Sequence, residues 1–135
     1  MEIENVAQYL KNNGIKPSYQ RVRVFEYLIN NKNHPTVDTV FKELVGEIPT
    51  LSKTTVYNTL KLFAKKNIII VINIEDNETR YDADTSVHGH FKCEKCRKVY
   101  DFDVDLSKVD LKKISNFIIN EYHFYLKGIC EKCRE

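Results

Sequence analysis

The four cysteines of the chain form two Cys-x-x-Cys pairs, Cys93/Cys96 and Cys130/Cys133. Four thiolates at this spacing can surround one tetrahedral zinc ion. The separation, residues 97–129, is longer than in a usual zinc ribbon, but an intervening strand, helix and strand would return the second pair to the first. Such a site contributes on the order of 10 kcal/mol to folding. The sequence therefore predicts a closed, structural zinc site.

A thioredoxin-like redox pair is the alternative interpretation of these cysteines. Neither pair stands at the start of a helix in a βαβ pattern, where a redox pair of that kind would lie. Several cations surround the cysteines: Lys95, Arg97, Lys98, Lys132 and Arg134. Nearby positive charge favours thiolates and offsets the negative charge of a zinc–tetrathiolate centre, so the setting favours zinc.

Length and composition indicate an ordinary globular protein. A chain of 135 residues with 42% hydrophobic and 30% charged residues suits one domain or two very small ones. The longest aliphatic run, Ile68 to Ile72, is far shorter than the roughly 20 residues of a membrane helix. The N-terminus lacks the basic-then-apolar pattern of a secretory signal. We therefore expect a cytoplasmic protein with reduced thiols and no membrane partner.

The N-terminal half predicts three helices followed by a β-hairpin. Ser18, Thr36 and Ser52 are candidate N-caps. Apolar residues recur after each at helical spacing: Val24, Phe25, Leu28 and Ile29; then Val37, Val40, Phe41, Leu44 and Val45; then Val56, Leu60 and Phe63. The hairpin is predicted from IIIVINI, the polar turn EDNET and RYDAD. This order is that of a winged helix-turn-helix, whose last helix enters the DNA major groove.

The last of these helices carries a polar face opposite its apolar one. Its residues are Lys53, Thr54, Tyr57, Asn58 and Lys61. Hydroxyls and amines suit phosphates, and an amide suits base edges. The segments 11–23 and 50–74 contain basic residues and no acidic ones. Duplex DNA is thus a predicted partner, with a small helical core domain carrying a solvated polar face as the alternative.

The C-terminal half changes to strand alternation. HGHFKC and KVYDFDVD predict two strands with CEKC as the turn between them, and FYLKGI predicts a last strand. Ser107 and Asp110 resemble a capping box, which predicts a helix through Leu111, Ile114, Phe117 and Ile118. The boundary between the halves falls near residues 85–87. The fold class is therefore α+β, with segments 1–84 and 85–135.

A second group of metal ligands lies just before the cysteines. His88 and His90 are two residues apart, so on a strand they share a face. Candidate carboxylate ligands stand on either side: Asp82 or Asp84, and Asp101 or Asp103. Periodicity does not choose within either pair. Nitrogen and carboxylate ligands without sulfur suit Fe(II), Mn(II) or Zn(II). His34 could join them only if the two halves fold over each other; otherwise it is a capping or surface residue.

These segments together resemble the ferric uptake regulator (Fur) superfamily. The resemblance covers nearly the whole chain and is carried by KNHPTVDTVFKEL, LSKTTVYNTLKLF, RYDADTSVHGHFKCEKC and the terminal CEKC. It implies a homodimeric, metal-dependent transcription factor with an N-terminal winged-helix DNA-binding domain (1–84) and a small C-terminal α/β dimerisation domain (85–135). It also implies that residues 52–66 hold the recognition helix, with Tyr57 among its DNA contacts, and that the cysteines bind structural zinc.

One position separates branches of this superfamily. This chain has Asp101 there, within KVYDF. Peroxide-sensing repressors have aspartate at the same position, whereas iron-uptake regulators typically have glutamate. The resemblance implies the regulatory ligands His34, Asp82, His88, His90 and Asp101, and so prefers Asp82 and Asp101 over their rivals. It further implies that Fe(II) reacts with peroxide and a ligand histidine, His34 or His88, is oxidised, which releases DNA. Mn(II) would occupy the site without reacting.

Two features depart from the superfamily pattern or add to it. The usual Thr-Pro-Gln-Arg at the start of the second helix is Ser-Tyr-Gln-Arg here, and the retained Gln20 and Arg21 are predicted DNA contacts. His123 is the one further histidine that another metal site would use, and the expectation is that it packs at the helix-to-strand corner.

Two other functions remain as alternatives. A repressor of the same superfamily could respond to the level of iron, zinc or manganese without peroxide chemistry. A metalloenzyme or metal carrier could use the histidine and aspartate site. An enzyme would need an open metal position and a nearby base or nucleophile, and no spare Glu or Ser is obviously placed beside this site. The sequence therefore predicts a repressor and not an enzyme.

Overall fold

The computed structural model describes residues 5–75 and 78–134. It is a mixed helix and sheet protein, in agreement with the predicted α+β class, and divides into two compact units between Thr85 and Ser86. None of its helices in the described ranges is long and apolar enough to cross a membrane.

The first unit contains four helices and a hairpin. The elements are α1 (Val6–Asn12), α2 (Tyr19–Asn30), α3 (Val37–Leu44), α4 (Lys53–Lys65), β1 (Ile70–Glu75) and β2 (Glu78–Asp82). The predicted caps are confirmed: the side chains of Ser18, Thr36 and Ser52 accept from the backbone three residues on. Helix α1 was not among the predicted helices, although Asn5 caps it in the same way, through the Gln8 amide at 3.0 Å.

The core of this unit lies between the helices. The predicted apolar face of α4 is confirmed, because Val56, Leu60 and Phe63 are all fully buried. The ring of Phe63 meets that of Phe25 edge-on at 5.5 Å, and Phe25 stacks on Tyr9 at 5.4 Å. Burial of this face fixes the rotation of α4 and turns its polar face outward.

The predicted hairpin is confirmed as an antiparallel pair. Ile70 pairs with Asp82 and Val71 with Tyr81, and the register shifts between Ile72 and Glu75. Part of the predicted turn, residues 76–77, lies outside the described residues. The Tyr81 amide donates to the Pro35 carbonyl at 3.0 Å, which ties β2 to the loop before α3.

The second unit is built on a three-stranded sheet. Its strands are β3 (His88–Cys93), β4 (Val99–Asp103) and β5 (Phe124–Gly128), in the order β4-β3-β5. Strand β3 is antiparallel to β4 and parallel to β5. All three predicted strands and the CEKC turn are confirmed. The central position of β3 holds both the histidines and the first cysteine between two neighbours.

The predicted helix through residues 107–118 is wrong. The segment contains only short 3₁₀ turns at Leu106–Lys108 and Lys112–Ile114. Asp105, not Ser107, accepts the capping hydrogen bond, from the Ser107 amide at 3.0 Å. Phe117 and Ile118 are 66% and 90% exposed, so the apolar stripe finds no surface to cover it within the unit. A helix this short is marginal without such packing.

Candidate metal centres

The cysteine sulfurs of the second unit converge on one point. The four Sγ atoms of Cys93, Cys96, Cys130 and Cys133 all lie within 4.8 Å of one another. Those of Cys96 and Cys130 are 3.8 Å apart. A tetrahedral zinc ion with Zn–S bonds of about 2.3 Å requires sulfurs about 3.8 Å apart. The donor set and its spacing therefore fit zinc.

Backbone amides surround Cys93. The Cys96 and Cys130 amides each donate to its Sγ at 3.4 Å. The Cys96 amide contributes most to lowering the Cys93 pKa to about 6, the Cys130 amide and further donors add to this, and burial acts in the opposite direction. A hydrogen bond from Tyr100 lowers the pKa of Cys130 and raises the pKa of Tyr100 to about 12. The site thus stabilises Cys93 and Cys130 as thiolates, the form that binds zinc, whereas hydrogen bonding with Cys130 raises the pKa of Cys133 to about 12.

A second cluster in this unit joins two histidines to one carboxylate. His88 and His90 project from the same side of β3, with ring centroids 4.5 Å apart. Asp101 stands directly opposite His90 in the register of β4. Its Oδ1 lies 3.4 Å from His90 Nε2 and 3.7 Å from His88 Nε2. Asp103 is opposite His88 in register, but the carboxylate that reaches both rings belongs to Asp101.

A backbone carbonyl oxygen determines the tautomer of His88. Its Nδ1 lies 2.8 Å from the Ser86 carbonyl oxygen, which can only accept, so Nδ1 carries the proton. The Nε2 lone pair is then directed towards the side of Asp101 Oδ1. Two acceptor atoms that converge in this way suit a divalent cation. The residues fit a hard or borderline metal with nitrogen and oxygen ligands.

The first unit contains its own histidine–carboxylate pair. His34 Nε2 lies 3.6 Å from Asp82 Oδ2, and both side chains are buried. His34 adopts a left-handed backbone conformation with φ of +52°, and Arg80 Nη1 donates to its carbonyl at 3.1 Å. The Asp84 amide donates to Asp82 Oδ1 at 2.9 Å. Asp84 therefore orients Asp82, which is the residue that faces the imidazole.

The predicted DNA-binding residues of α4 lie at the surface. Lys53, Thr54, Tyr57, Asn58 and Lys61 are all exposed. The Lys61 Nζ lies 6.0 Å from the centre of the Tyr57 ring, whereas Lys53 Nζ is held 3.1 Å from Asp38 Oδ1. On α2, Gln20 and Arg21 are half-buried, and Arg21 Nη1 donates to the Lys16 carbonyl at 2.9 Å. Arg21 is therefore also a structural link at the start of α2.

His123 was expected to be packed, and this expectation is wrong. Its side chain is 40% exposed and lies just before β5, with Nδ1 3.2 Å from the Tyr125 hydroxyl. The sequence reasoning also missed Arg80 and Ser86, which contact the candidate ligands His34 and His88 through backbone carbonyl oxygens. Their only sequence signal is proximity to the candidate ligands, because a contact with a carbonyl oxygen leaves no residue pattern.

Comparison with known proteins gives consistent matches over nearly the whole chain. A family model described as "Ferric uptake regulator family" matches residues 12–129. The chain is 33% identical over 135 residues to the peroxide operon regulator of Bacillus subtilis, covering 98% of this chain and 93% of that protein.

Solved structures agree with these sequence matches. The Helicobacter pylori ferric uptake regulator Fur aligns with a TM-score of 0.77 and 23% identity, covering 95% of this chain and 88% of that one. The Campylobacter jejuni peroxide stress regulator aligns with a TM-score of 0.73 and 27% identity, covering 96% of this chain and 99% of that one. The first match, at 23% identity, supports the fold alone. The second shows that the chain is also similar to a protein named for peroxide stress.

Proposed function

The chain belongs to the ferric uptake regulator family, and from that membership we propose that it is a metal-dependent, peroxide-responsive transcriptional repressor. Members of this family are DNA-binding regulators that form dimers, and not enzymes. The observation that carries the proposal is the His88–His90–Asp101 cluster, in which aspartate occupies the position that distinguishes peroxide sensors. The 33% sequence identity to the Bacillus subtilis peroxide operon regulator supports assignment to the peroxide-sensing branch.

The proposed regulatory ligands are His34, Asp82, His88, His90 and Asp101. Within each unit, the described imidazole nitrogens and carboxylate oxygens approach to 3.4–3.7 Å. A set with nitrogen and oxygen atoms but no sulfur favours Fe(II) or Mn(II), while the cysteines take structural Zn(II). Fe(II), when bound, supplies the electrons that activate peroxide, and Mn(II) does not react. His34 and His88 are the proposed sites of oxidation.

The proposed output is loss of operator DNA. We assign DNA binding to segment 1–84 and metal binding with dimerisation to segment 85–135. The exposed face of α4 supports the first assignment, with Lys53, Thr54, Tyr57, Asn58 and Lys61 as proposed contacts and Gln20 and Arg21 beside them. Oxidation of a ligand histidine weakens metal binding, and the protein then loses the arrangement that fits duplex DNA. A cytoplasmic location, where DNA is accessible, belongs to this proposal.

Exposed apolar side chains support dimerisation by the second unit. They include Phe117, Ile118, Ile119, Tyr122, Leu126 and Ile129. Such a concentration on one small unit is typical of a protein–protein interface.

Metal-dependent DNA binding tests the proposal. An operator is first selected from random duplex DNA with Mn(II)-loaded protein, and its affinity is then measured with Mn(II) and with chelator. We expect tight, salt-dependent binding only with metal. Asp101→Ala should bind the operator weakly even with Mn(II), because the substitution removes the carboxylate that both imidazoles face. Asp103→Ala, on the same face of β4, is the matched control and should bind like wild type. No selected operator, or equal binding with chelator, would contradict the proposal.

A metal-level-responsive repressor is the remaining candidate within the family. It would share the Mn(II) and chelator results. It differs in the response to peroxide, since its Fe(II)-loaded form would keep both its histidines and its DNA.

A further inference from the structure

Lys92 is a buried lysine that neither metal proposal uses. It is 1% exposed and lies on β3 next to Cys93. Burial of an ammonium group is costly unless the charge is hydrogen-bonded. Its Nζ donates to the carbonyl oxygen of Arg97 at 2.6 Å. The bond reaches across the turn that carries the first cysteine pair.

Arg97 itself has an unusual backbone. Its φ is +66°, a left-handed conformation that disfavours side chains other than glycine. Within the same turn, the Arg97 amide donates to the Cys93 carbonyl at 2.9 Å, and the Cys93 amide donates to the Lys98 carbonyl at 3.0 Å. The residue before Arg97 is Cys96, whose amide donates to Cys93 Sγ. The left-handed conformation of Arg97 is therefore part of the turn geometry that places Cys96 beside Cys93.

We propose that Lys92 is a positioning residue of the zinc site: its ammonium group holds the Arg97 carbonyl and so keeps Arg97 in the left-handed conformation that the cysteine turn requires. A charged donor makes a stronger hydrogen bond than a neutral one, and burial excludes competing water. Without this bond, rotation of the Arg97 backbone towards ordinary φ values would move Cys96 away from the other sulfurs. Lys92 thus offsets the absence of glycine at position 97.

Zinc retention by the full-length protein tests the proposal. Zinc-loaded Lys92→Met and wild-type proteins are mixed with excess chelator, and the rate of zinc transfer is followed. Loss of a partner that orients a metal ligand costs about 10- to 100-fold in metal affinity, so we expect zinc loss to be about tenfold faster in the variant. Lys127→Met is the matched control, because Lys127 is exposed and stands opposite Lys92 in the register of β5. Equal rates for all three proteins would overturn the proposal.

A double-mutant cycle with Arg97→Gly identifies the route of the effect. Glycine adopts the left-handed conformation without strain. When position 97 is glycine, Lys92→Met should therefore change the rate of zinc loss very little. The Co(II)-substituted proteins give a spectroscopic readout, and only Lys92→Met with Arg97 present should show altered absorption bands. If Lys92→Met alone does not fold, the comparison of Arg97→Gly with the double variant decides. A double variant that loses zinc much faster than Arg97→Gly alone would overturn the proposal.

Discussion

Gly89 separates the two histidines of β3, and its missing side chain decides how closely β3 and β4 can pack. A Cβ at this position would overlap the ring of Phe102, which stands opposite Gly89 on β4. Phe102 covers the face of the sheet away from the imidazoles, while His88, His90 and Asp101 share the other face. The close approach at Gly89 thus supports the register that brings Asp101 to both histidines.

Gly89→Ala should therefore destabilise the second unit. The added methyl group must displace the Phe102 ring or the strand, and overpacking of this kind costs about 1–3 kcal/mol. Gly46→Ala is the control, because a Cβ at Gly46 would have no atom within 4 Å. Chemical denaturation of the zinc-loaded proteins measures the difference. Equal stability of the two variants would contradict the packing argument.

The same residues show where prediction from sequence stops at this scale. The alternation of β3 was sufficient to predict that His88 and His90 share a face. It could not separate Asp101 from Asp103, because both lie on one side of β4 and only the register with β3 brings Asp101 opposite His90. The contact of Lys92 with the Arg97 carbonyl was equally out of reach, since it depends on a left-handed backbone at a residue other than glycine.

At the scale of elements, caps and periodicity predicted the helical unit well. Ser18, Thr36 and Ser52 begin their helices because each hydroxyl accepts from an amide that would otherwise lack a partner. Helix α4 follows the same logic, with a buried apolar face and an exposed polar face. The predicted helix over residues 107–118 is wrong because both supports are missing there. Its apolar pattern resembles a helix, but within the unit it has no surface to pack against, and Asp105 closes a 3₁₀ turn instead.

The exposed face of α4 makes a prediction about salt. Lys61→Met should weaken binding to the selected operator and to unrelated duplexes alike, because a lysine that contacts phosphate reads no sequence. The slope of log affinity against log salt should fall in magnitude by about 1. Lys113→Met, an exposed lysine in the second unit, should leave both quantities unchanged. An unchanged slope for Lys61→Met would remove this residue from the proposed DNA interface.

At the scale of the whole molecule, the account requires a dimer. Ile118 is 90% exposed and lies in the apolar segment of the second unit. A charge placed there should weaken self-association by about tenfold or more, since burial of an unpaired carboxylate in an apolar interface is costly. Sedimentation of Ile118→Asp against Lys112→Asp, an exposed neighbour, measures this effect. Equal dimer fractions would place the interface elsewhere.

Oxidation of a ligand histidine is the central claim and can be measured directly. The protein is loaded with Fe(II) without oxygen, treated with one equivalent of hydrogen peroxide, and digested for mass analysis, with a parallel sample loaded with Mn(II). The account predicts one added oxygen atom on the peptide containing His34 or His88 in the Fe(II) sample only, together with loss of operator binding. Unmodified histidines with unchanged DNA binding in the Fe(II) sample would contradict it.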